Sequence, residues 1–269
     1  MIKPTIYKID QIIEENERIR TFVFKGNIKA KPGQFILWWH PAQDAKPFSI
    51  SYSDSARFEI TICKVGTFTE EVFQKKVGDQ IGFFGPFGTN YNIGDYQNII
   101  LIGGGYGVAP MNFLYYYGQK YFPGIKITLI QGARDKETLI KLEELEKNEN
   151  YLSSTDDGSL GFKGNTLELL KELYEKDDNI DLICCCGPEL MQKAILDFCV
   201  EKNIDCQISL ERYIKCGCGL CGECITSNGF RMCKEGPVIN KKLALSIEEF
   251  GLYKTEPGGK TTYFIKPKT

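Results

Sequence analysis

The chain has 269 residues, 42% of them hydrophobic and 25% charged, a composition typical of globular proteins with two or three packed modules. Collagen, coiled-coil and disordered proteins are excluded. Lys and Arg number 33 against 35 Asp and Glu, and the net charge of -2 argues against nucleic acid as a partner. No apolar run approaches the roughly 20 residues of a membrane span, and the start lacks a signal peptide, so we expect a cytoplasmic protein without membrane contact.

Residues 1–96 predict an antiparallel β-barrel or sandwich. Short runs of alternating or β-branched and aromatic residues are separated by turn signals rich in Gly, Pro and Asp. One helix is expected at residues 68–76, where apolar side chains recur at helical spacing among charged ones. The clearest strand candidates are residues 21–24, 35–39 and 58–62.

The pattern changes near residue 97, where strands and helices begin to alternate. The strand at residues 98–102 is continuously apolar, which indicates a parallel sheet covered on both faces. Further strands are expected at residues 126–131 and 181–185, and helices at residues 111–121, 136–148 and 166–175. After Cys206 the alternation stops. We therefore divide the chain into a barrel domain, an α/β domain and a small C-terminal domain, at residues 1–96, 97–207 and 208–269.

Four cysteines with the spacing C-x4-C-x2-C-x8-C carry the strongest chemical signal: Cys216, Cys221, Cys224 and Cys233. The first three have the plant-type [2Fe-2S] spacing, and the interleaved glycines allow a loop to wrap closely around a cluster. One alternative is a four-cysteine zinc site, which usually has two short cysteine pairs. The other is a set of reduced structural cysteines. Cys218 is a fifth thiol, and is either a bystander or an alternative ligand.

Three further motifs suit a nucleotide. Gly103 to Pro110 follows an apolar strand and opens a helix, an arrangement in which backbone N–H groups can approach a phosphate closely. A tight structural turn is the alternative. Lys46 to Ser49, with Gly66 to Thr69 opening a helix, suits a ligand with a diphosphate and a flat ring; a strand that enters a turn is the alternative. Cys186 to Pro188 ends a parallel strand, where ligands lie in such sheets. The consecutive cysteines 184–186 read as buried apolar filling.

In this order the motifs resemble those of the ferredoxin-reductase-like flavoprotein family. Within it, Thr155 to Ser159 and Ser209 to Arg212 followed by the cysteine cluster are similar to the electron-transfer subunits of NAD-dependent, class B dihydroorotate dehydrogenases. The resemblance covers roughly residues 5–238. The nearest rivals are small subunits of bifurcating ferredoxin:NADP oxidoreductases, whose first cluster ligand is commonly Asp, and of hydrogenase diaphorases. A zinc-stabilised nucleotide-binding regulator without redox activity is a third hypothesis.

The resemblance implies an FAD barrel, an NAD-binding α/β domain and a terminal [2Fe-2S] domain. Lys46, which replaces the family's Arg, would meet the FAD diphosphate, Phe48 would pack on the isoalloxazine, and Ser49 would hydrogen-bond near its N5 atom. The implied FAD contacts are Lys46, Pro47, Phe48, Ser49, Thr61, Ile62, Cys63, Gly66, Phe68 and Thr69. The implied NAD contacts are Gly103, Gly104, Gly105, Gly107, Ala109, Pro110, Cys186, Gly187 and Pro188. Cluster ligation would fall to Cys216, Cys221, Cys224 and Cys233.

The chain lacks a group suited to deprotonate a dihydropyrimidine, since His40 is its one histidine. With this absence, the resemblance implies that the chain is half of an oxidoreductase of pyrimidine biosynthesis, with no catalytic acid or base of its own. The expected partner is an FMN-containing dihydroorotate dehydrogenase subunit, in a heterotetramer with two of each chain. Leu220, apolar between cluster ligands, suggests docking on the cluster loop. The strand-like residues 261–265 are expected to pack on the chain itself, with an edge strand for the partner as the alternative.

Overall fold

The computed structural model describes residues 3–41 and 44–264 of the chain. Its first part is a closed barrel of six antiparallel strands, which confirms the predicted barrel. The strands are β1 Thr5–Asn16, β2 Ile19–Lys25, β3 Phe35–Trp39, β4 Ala45–Ser53, β5 Arg57–Cys63 and β6 Gln80–Phe87. Around the barrel they follow the order β1-β2-β5-β4-β3-β6.

Aromatic side chains fill the barrel because alternate residues of each strand point inward. Phe24 stacks on Phe58 with ring centroids 5.0 Å apart, and Trp38 packs edge-on against Phe22 at 5.4 Å. Helix α1 (Thr67–Val72) lies between β5 and β6. It is shorter than the predicted helix at residues 68–76, because the chain turns at Phe73 and buries that ring against the barrel core.

A seven-stranded sheet forms the second part, in the order β10-β9-β8-β7-β11-β12-β13, parallel except for the β12–β13 pair. The strands are β7 Asn98–Gly104, β8 Lys126–Ala133, β9 Tyr151–Thr155, β10 Phe162–Lys163, β11 Leu182–Cys186, β12 Asp205–Ser209 and β13 Val238–Asn240. The helices that follow its strands are α2 Val108–Tyr121, α3 Leu142–Leu145, α4 Thr166–Lys176 and α5 Glu189–Glu201. This is the expected parallel-sheet α/β domain.

Each face of this sheet has its own core. Ile100 and Ile102 of β7 pack with α4 and α5, whereas Ile99 and Leu101 pack with α2 on the other face. Every residue of β7 and β11 is buried, which explains their continuous apolar sequences. The three cysteines of β11 are buried in these cores, in agreement with their interpretation as apolar filling.

The helix predicted at residues 136–148 is wrong in extent. Residues Lys136–Thr138 form one 3-10 turn and only Leu142–Leu145 are α-helical. Between them Leu139 is extended, Ile140 is buried and Lys141 has a left-handed backbone with φ of 56°. Helical spacing of apolar residues does not reveal this break, because contacts with the barrel hold the segment out of the helix.

The C-terminal part wraps around both preceding parts. Residues 210–237 consist of loops and turns with one isolated bridge, between Ile225 and Arg231. Beyond them β13 returns to the main sheet, and α6 (Lys241–Leu245) follows it. Strands β14 (Tyr253–Thr255) and β15 (Thr261–Tyr263) form a hairpin. Ile265, the last residue of the predicted strand, lies outside the described residues.

The domain boundaries at residues 96/97 and 207/208 stay predictions. The second one falls within β12, and β13 from beyond it pairs with that strand. Strands β12 and β13 and helices α5 and α6 were not among the predicted elements. In the part of the chain that the structure describes, no helix is both long and apolar enough to cross a membrane.

Candidate cofactor cleft and cluster loop

A cleft of about 470 Å³ lies between the barrel and the carboxyl edge of the sheet, and we call it the cofactor cleft. This volume is in the range of small-molecule and cofactor sites. Of the predicted contacts, eleven line it: Lys46, Pro47, Phe48, Ser49, Thr61, Cys63, Thr69, Gly107, Ala109, Pro110 and Cys186. The barrel and the α/β domain therefore contribute opposite walls of one site.

Eight predicted contacts do not line the cofactor cleft: Ile62, Gly66, Phe68, Gly103, Gly104, Gly105, Gly187 and Pro188. Ile62 and Phe68 belong to the barrel core instead. Phe68 still borders the site, because its ring stacks on Phe48 with centroids 6.1 Å apart and an interplanar angle of 28°. Gly103 and Gly104 are buried at the end of β7, whereas Gly66 and Pro188 are exposed and lie outside the cleft lining.

Strand β4 presents Lys46 to Ser49 on the barrel wall. The Lys46 ammonium lies 3.4 Å from Asp44 Oδ2 and 5.4 Å above the Tyr213 ring centroid. A cation held between a carboxylate and an aromatic face fits the diphosphate of a flavin nucleotide, and the half-buried Phe48 ring fits its flat part. The side chains present on this wall thus fit FAD.

The Thr69 hydroxyl is committed to its own loop. It accepts hydrogen bonds from the backbone N–H of Val65 at 2.8 Å and of Gly66 at 3.0 Å, and donates to Gly66 O at 2.8 Å. Since the hydroxyl holds the start of α1 in place, its contribution to the cleft is to shape the loop.

On the opposite wall, the turns after β7 and β11 pack against each other. A Cβ on Gly103 would lie 2.3 Å from Val108 Cα, and one on Gly107 would lie 2.4 Å from Cys186 O. Only glycine fits at Gly103, inside the turn after β7, and at Gly107, where the two turns meet. Helices α2 and α5 leave β7 and β11 on opposite faces of the sheet, so the crevice lies at a topological switch point, where dinucleotides bind in such sheets.

Tyr106 and the segment Ser209 to Arg212 also line the cofactor cleft, although the motifs that contain them assign them no role. Burial raises the pKa of the Glu211 carboxyl, and Glu211 together with burial raises the pKa of Tyr106. Burial, with a smaller effect of Glu211, also raises the pKa of the Cys186 thiol to about 12. Cys186 is therefore a neutral thiol at physiological pH.

The C-terminal hairpin also reaches this site, because Lys254 to Pro257 line the cofactor cleft. The hairpin is tied to its own chain, since the Gly251 N–H donates to Glu189 Oε1 at 2.9 Å. No local sequence signal indicated this contact. His40 does not line the cleft, and its Nε2 lies 3.4 Å from Glu71 Oε2.

The cluster loop comprises residues 216–233. Backbone N–H groups of the loop donate to cysteine sulfurs, among them Gly219 to Cys233 at 3.1 Å, Leu220 to Cys216 at 3.4 Å, and Cys233 to Cys224 at 3.4 Å. The left-handed backbone of Gly217, Gly219 and Gly222 turns these groups inward. Such N–H groups stabilise thiolates, as an iron-sulfur cluster requires.

The cysteines of the cluster loop approach each other in pairs. The side chain of Cys216 lies near enough to Cys221, and that of Cys233 near enough to Cys224, for each neighbour to shift its pKa. Burial raises the pKa of Cys216, but the N–H groups of Cys221, Cys218 and Leu220 outweigh it and lower the pKa to about 6. Cys218 also contacts Cys216. Among the described residues, no three His, Cys, Asp or Glu side chains are grouped as ligands of one metal ion.

The cluster loop and the cofactor cleft adjoin each other. Tyr213 and Ile214 line the cleft, and Cys216 follows within about 7 Å of extended backbone. A Cβ on Gly217 would lie 3.0 Å from the Phe87 ring of β6, so the loop packs directly on the barrel. On its outer side, Leu220 is 86% exposed.

Comparison with known proteins identifies both functional parts. Residues 211–243 match the family described as the iron-sulfur cluster binding domain of dihydroorotate dehydrogenase B, and residues 101–197 match the oxidoreductase NAD-binding domain. A solved NADH-dependent reduced ferredoxin-NADP oxidoreductase, studied for flavin-based electron bifurcation, is 27% identical with a TM-score of 0.77 over 88% of this chain and 89% of that chain. Phthalate dioxygenase reductase, 18% identical, shares the fold with a TM-score of 0.61 over 72% of this chain and 63% of its own.

Several relatives are similar over almost the whole chain, among them two proteins that are both named "probable dihydroorotate dehydrogenase B (NAD(+)), electron transfer subunit". The protein from Methanocaldococcus jannaschii is 43% identical over 98% of this chain and 100% of its own length. The protein from Methanothermobacter thermautotrophicus is 38% identical over 96% of each. The chain therefore belongs to the family of dihydroorotate dehydrogenase B electron transfer subunits.

Proposed function

We propose that this chain passes electrons from a subunit that oxidises dihydroorotate, through a [2Fe-2S] cluster and FAD, to NAD in pyrimidine biosynthesis. The observation that carries the proposal is the continuity of the cluster loop with the cofactor cleft, through residues 213–216. When bound, FAD links the single-electron chemistry of the cluster to hydride transfer with NAD. The chain's own residues bind, orient and shield these groups.

We assign FAD to the barrel wall of the cofactor cleft. Lys46 would bind the diphosphate, Phe48 would pack against the ring system, and the Ser49 hydroxyl would hydrogen-bond its edge. NAD would lie on the opposite wall, over the backbone of Gly107 and beside Cys186, whose neutral thiol places no charge next to the nicotinamide. The packing of Gly107 against Cys186 supports this assignment, since it brings the ends of β7 and β11 together in the lining of the cleft.

We expect Lys46→Ala to raise the dissociation constant of FAD roughly tenfold to one-hundredfold, since a hydrogen bond to a charged group contributes about 1.5–3 kcal/mol. Flavin fluorescence on dilution measures this constant. Lys46→Arg should bind FAD at least as tightly as the parent, because guanidinium binds phosphate as a fork. Lys25→Ala, on the outside of the barrel beside Asp10, is the matched control. Unchanged FAD affinity in Lys46→Ala would contradict the assignment.

NAD is preferred over NADP on our proposal. Arg134, exposed just after β8, is the one arginine in residues 126–165, so a pair of arginines for a 2′-phosphate is not evident. We expect kcat/KM for NADH to exceed that for NADPH by about tenfold, which corresponds to ~1.4 kcal/mol. Steady-state reduction of ferricyanide with each nucleotide tests this, and a higher kcat/KM for NADPH would refute it.

We further propose that the partner is an FMN-containing catalytic subunit, in a heterotetramer with two of each chain, and that it docks on the cluster loop. The position of His40 outside the cofactor cleft supports the need for a partner that supplies the acid-base chemistry. The exposed Leu220 supports docking at the loop, because a large apolar side chain between cysteines suits a buried interface. A cytoplasmic location fits the eleven unpaired cysteines.

The test is to coexpress the chain with a candidate catalytic subunit and to measure dihydroorotate-dependent reduction of NAD. Leu220→Glu should weaken the complex about 30-fold, equivalent to ~2 kcal/mol at an interface hot spot. Val200→Glu, also at an exposed apolar residue but at the far end of α5, is the matched control and should not weaken it. Activity of the isolated chain with dihydroorotate would contradict the half-enzyme proposal. A complex insensitive to Leu220→Glu would contradict the docking face.

A second candidate function is that of the small subunit in an NADH-dependent ferredoxin-NADP oxidoreductase. The likeness to the solved structure of such an enzyme, at 27% identity and a TM-score of 0.77, favours it. The two functions differ in the partner. Copurification with a second flavoprotein that reduces NADP from ferredoxin, in place of a dihydroorotate-oxidising subunit, would establish this alternative.

A further inference from the structure

A buried charge cluster joins the barrel to the α/β domain behind the cofactor cleft. Its centre is the pair of Lys141, in the segment between β8 and α3, and Glu59, on β5. The two side chains are 5% and 6% exposed, and Nζ lies 3.1 Å from Glu59 Oε2. Arg57 Nη2 lies 3.2 Å from the other Glu59 oxygen, and Glu144 Oε2 lies 3.8 Å from Lys141 Nζ.

The backbone of Lys141 is also bound to the barrel. Its N–H donates to Glu15 Oε2 on β1 at 2.9 Å. Its φ of 56° is in the left-handed region, which residues with a Cβ rarely adopt. Burial alone would lower the pKa of the Lys141 ammonium, but Glu59, Glu144 and Glu15 raise it, so the group is charged. Two carboxylates of the barrel thus bind this residue: Glu15 binds its backbone N–H and Glu59 binds its ammonium group.

Hydrogen bonds continue from this cluster to the cofactor cleft. The Thr21 hydroxyl donates to Glu15 Oε1 at 2.6 Å, and lies 2.8 Å from the Thr61 hydroxyl. Thr21 is fully buried, and Thr61 lines the cleft. The Lys141 segment is therefore connected to the flavin wall by hydrogen bonds within the barrel.

The same domain contact contains an apolar part, in which Phe113 of α2 enters the barrel core and its ring lies 6.0 Å from that of Tyr52. Apolar contact is not directional, so it holds the two parts together without setting their relative orientation closely. A charged pair with two further hydrogen bonds does set direction and distance. The polar cluster therefore adds directional contacts at this face, as the hydrogen bond of the Tyr91 hydroxyl to Cys185 O does elsewhere between the two parts.

We propose that Lys141 is a positioning residue, which through Glu59 and Glu15 sets the orientation of the nicotinamide wall relative to the flavin wall. This inference rests on the proposed function, because it takes FAD to lie on β4 and β5 and NAD to lie over the turns after β7 and β11. Hydride transfer is sensitive to displacements of about 1 Å, which change rates as much as one-hundredfold. Loss of the charge cluster around Lys141 is therefore expected to slow the hydride step and to leave both binding sites intact.

Two variants test the inference in the full chain, loaded with flavin and with the iron-sulfur cluster. Glu15→Ala removes the backbone anchor at a half-buried position. Lys141→Met combined with Glu59→Gln removes the central pair and leaves neither partner as an unpaired buried charge. The matched control is Lys126→Met, which breaks the exposed Lys126–Asp177 pair of the same domain. Lys141→Arg retains the charge and the N–H group.

Anaerobic stopped-flow reduction of the flavin by NADH gives a limiting rate and a dissociation constant for NADH separately. In both test variants we expect the limiting rate to fall at least about tenfold, with the dissociation constant within about threefold of the parent. Flavin content should be unchanged, and the long-wavelength charge-transfer absorbance of the NADH complex should weaken. Lys141→Arg should recover most of the rate, and Lys126→Met should match the parent.

A limiting rate within twofold of the parent in both test variants would overturn the inference alone. The inference would also be overturned if the variants lost flavin and the flavin-loaded fraction kept the parent's limiting rate, because that result marks a purely structural role. If neither NADH nor NADPH reduced the flavin of the parent chain, the proposed function and this inference would be overturned together.

Discussion

Replacement of Cys216, Cys221, Cys224 or Cys233 by Ser, one at a time, is expected to abolish the cluster. A [2Fe-2S] cluster needs four thiolates, two for each iron, and the paired approach of these cysteines suits that division. The content of iron and of acid-labile sulfide should fall from about two atoms of each per chain to nearly none. Dihydroorotate-dependent reduction of NAD by the complex should be lost, while reduction of the flavin by NADH persists.

The matched control for these variants is Cys218→Ser, in the same loop and at an exposed position. It should retain iron, sulfide and activity, since Cys218 is the fifth thiol. Loss of the cluster in Cys218→Ser together with its retention in Cys233→Ser would show that the ligand assignment is wrong. Zinc in place of iron in the purified parent would contradict the [2Fe-2S] assignment and the electron path through the cluster loop.

Arg212→Ala is expected to destabilise the chain by about 3–5 kcal/mol, because it leaves a buried carboxylate without its partner. Arg212 and Glu189 are 4% and 7% exposed, and form two contacts of 2.7 and 3.2 Å. Glu189 also accepts the Gly251 N–H, so the pair ties the start of α5, the segment before the cluster loop and the C-terminal hairpin together. Equilibrium urea unfolding, followed by circular dichroism and flavin fluorescence, measures the loss.

The double variant Arg212→Met with Glu189→Gln separates the pair's own contribution from the cost of an unpaired charge. It should be more stable than Arg212→Ala, since no charge is left buried. Lys126→Met, which breaks an exposed ion pair, should change the stability by less than about 1 kcal/mol. If Arg212→Ala lowered the free energy of unfolding no more than this control does, the expected contribution of the buried pair would be wrong.

Features encoded within a few consecutive residues could be predicted from the sequence. The cysteine spacing, the glycine run after β7 and the continuously apolar β7 are of this kind, because each depends on a single loop or strand. The strand predicted at residues 98–102 is confirmed within β7, and the helix at residues 166–175 within α4. The placement of Lys46, Phe48 and Cys186 around one cleft also agrees with the order of the motifs.

Errors occurred where distant residues decide the conformation. The segment at residues 136–148 has the composition of a surface helix, yet Glu15 and Glu59 of the barrel hold Lys141 in a left-handed turn. The apolar spacing could not show this, because the carboxylates lie more than 80 residues away along the chain. The side chain of Ile62, one of the predicted FAD contacts, lies in the barrel core because β5 alternates between its two faces. Its contact with FAD stays a prediction.

The sequence by itself determined which chemistry the chain supports, because cofactor motifs are short and their residue types are dictated by the groups they bind. Only the tertiary structure decided how those motifs meet. It placed the cluster loop against the barrel, the C-terminal hairpin at the cofactor cleft and β13 beside β12. These arrangements depend on long-range packing and on buried charge pairs, whose partners are far apart in sequence and carry no local periodicity.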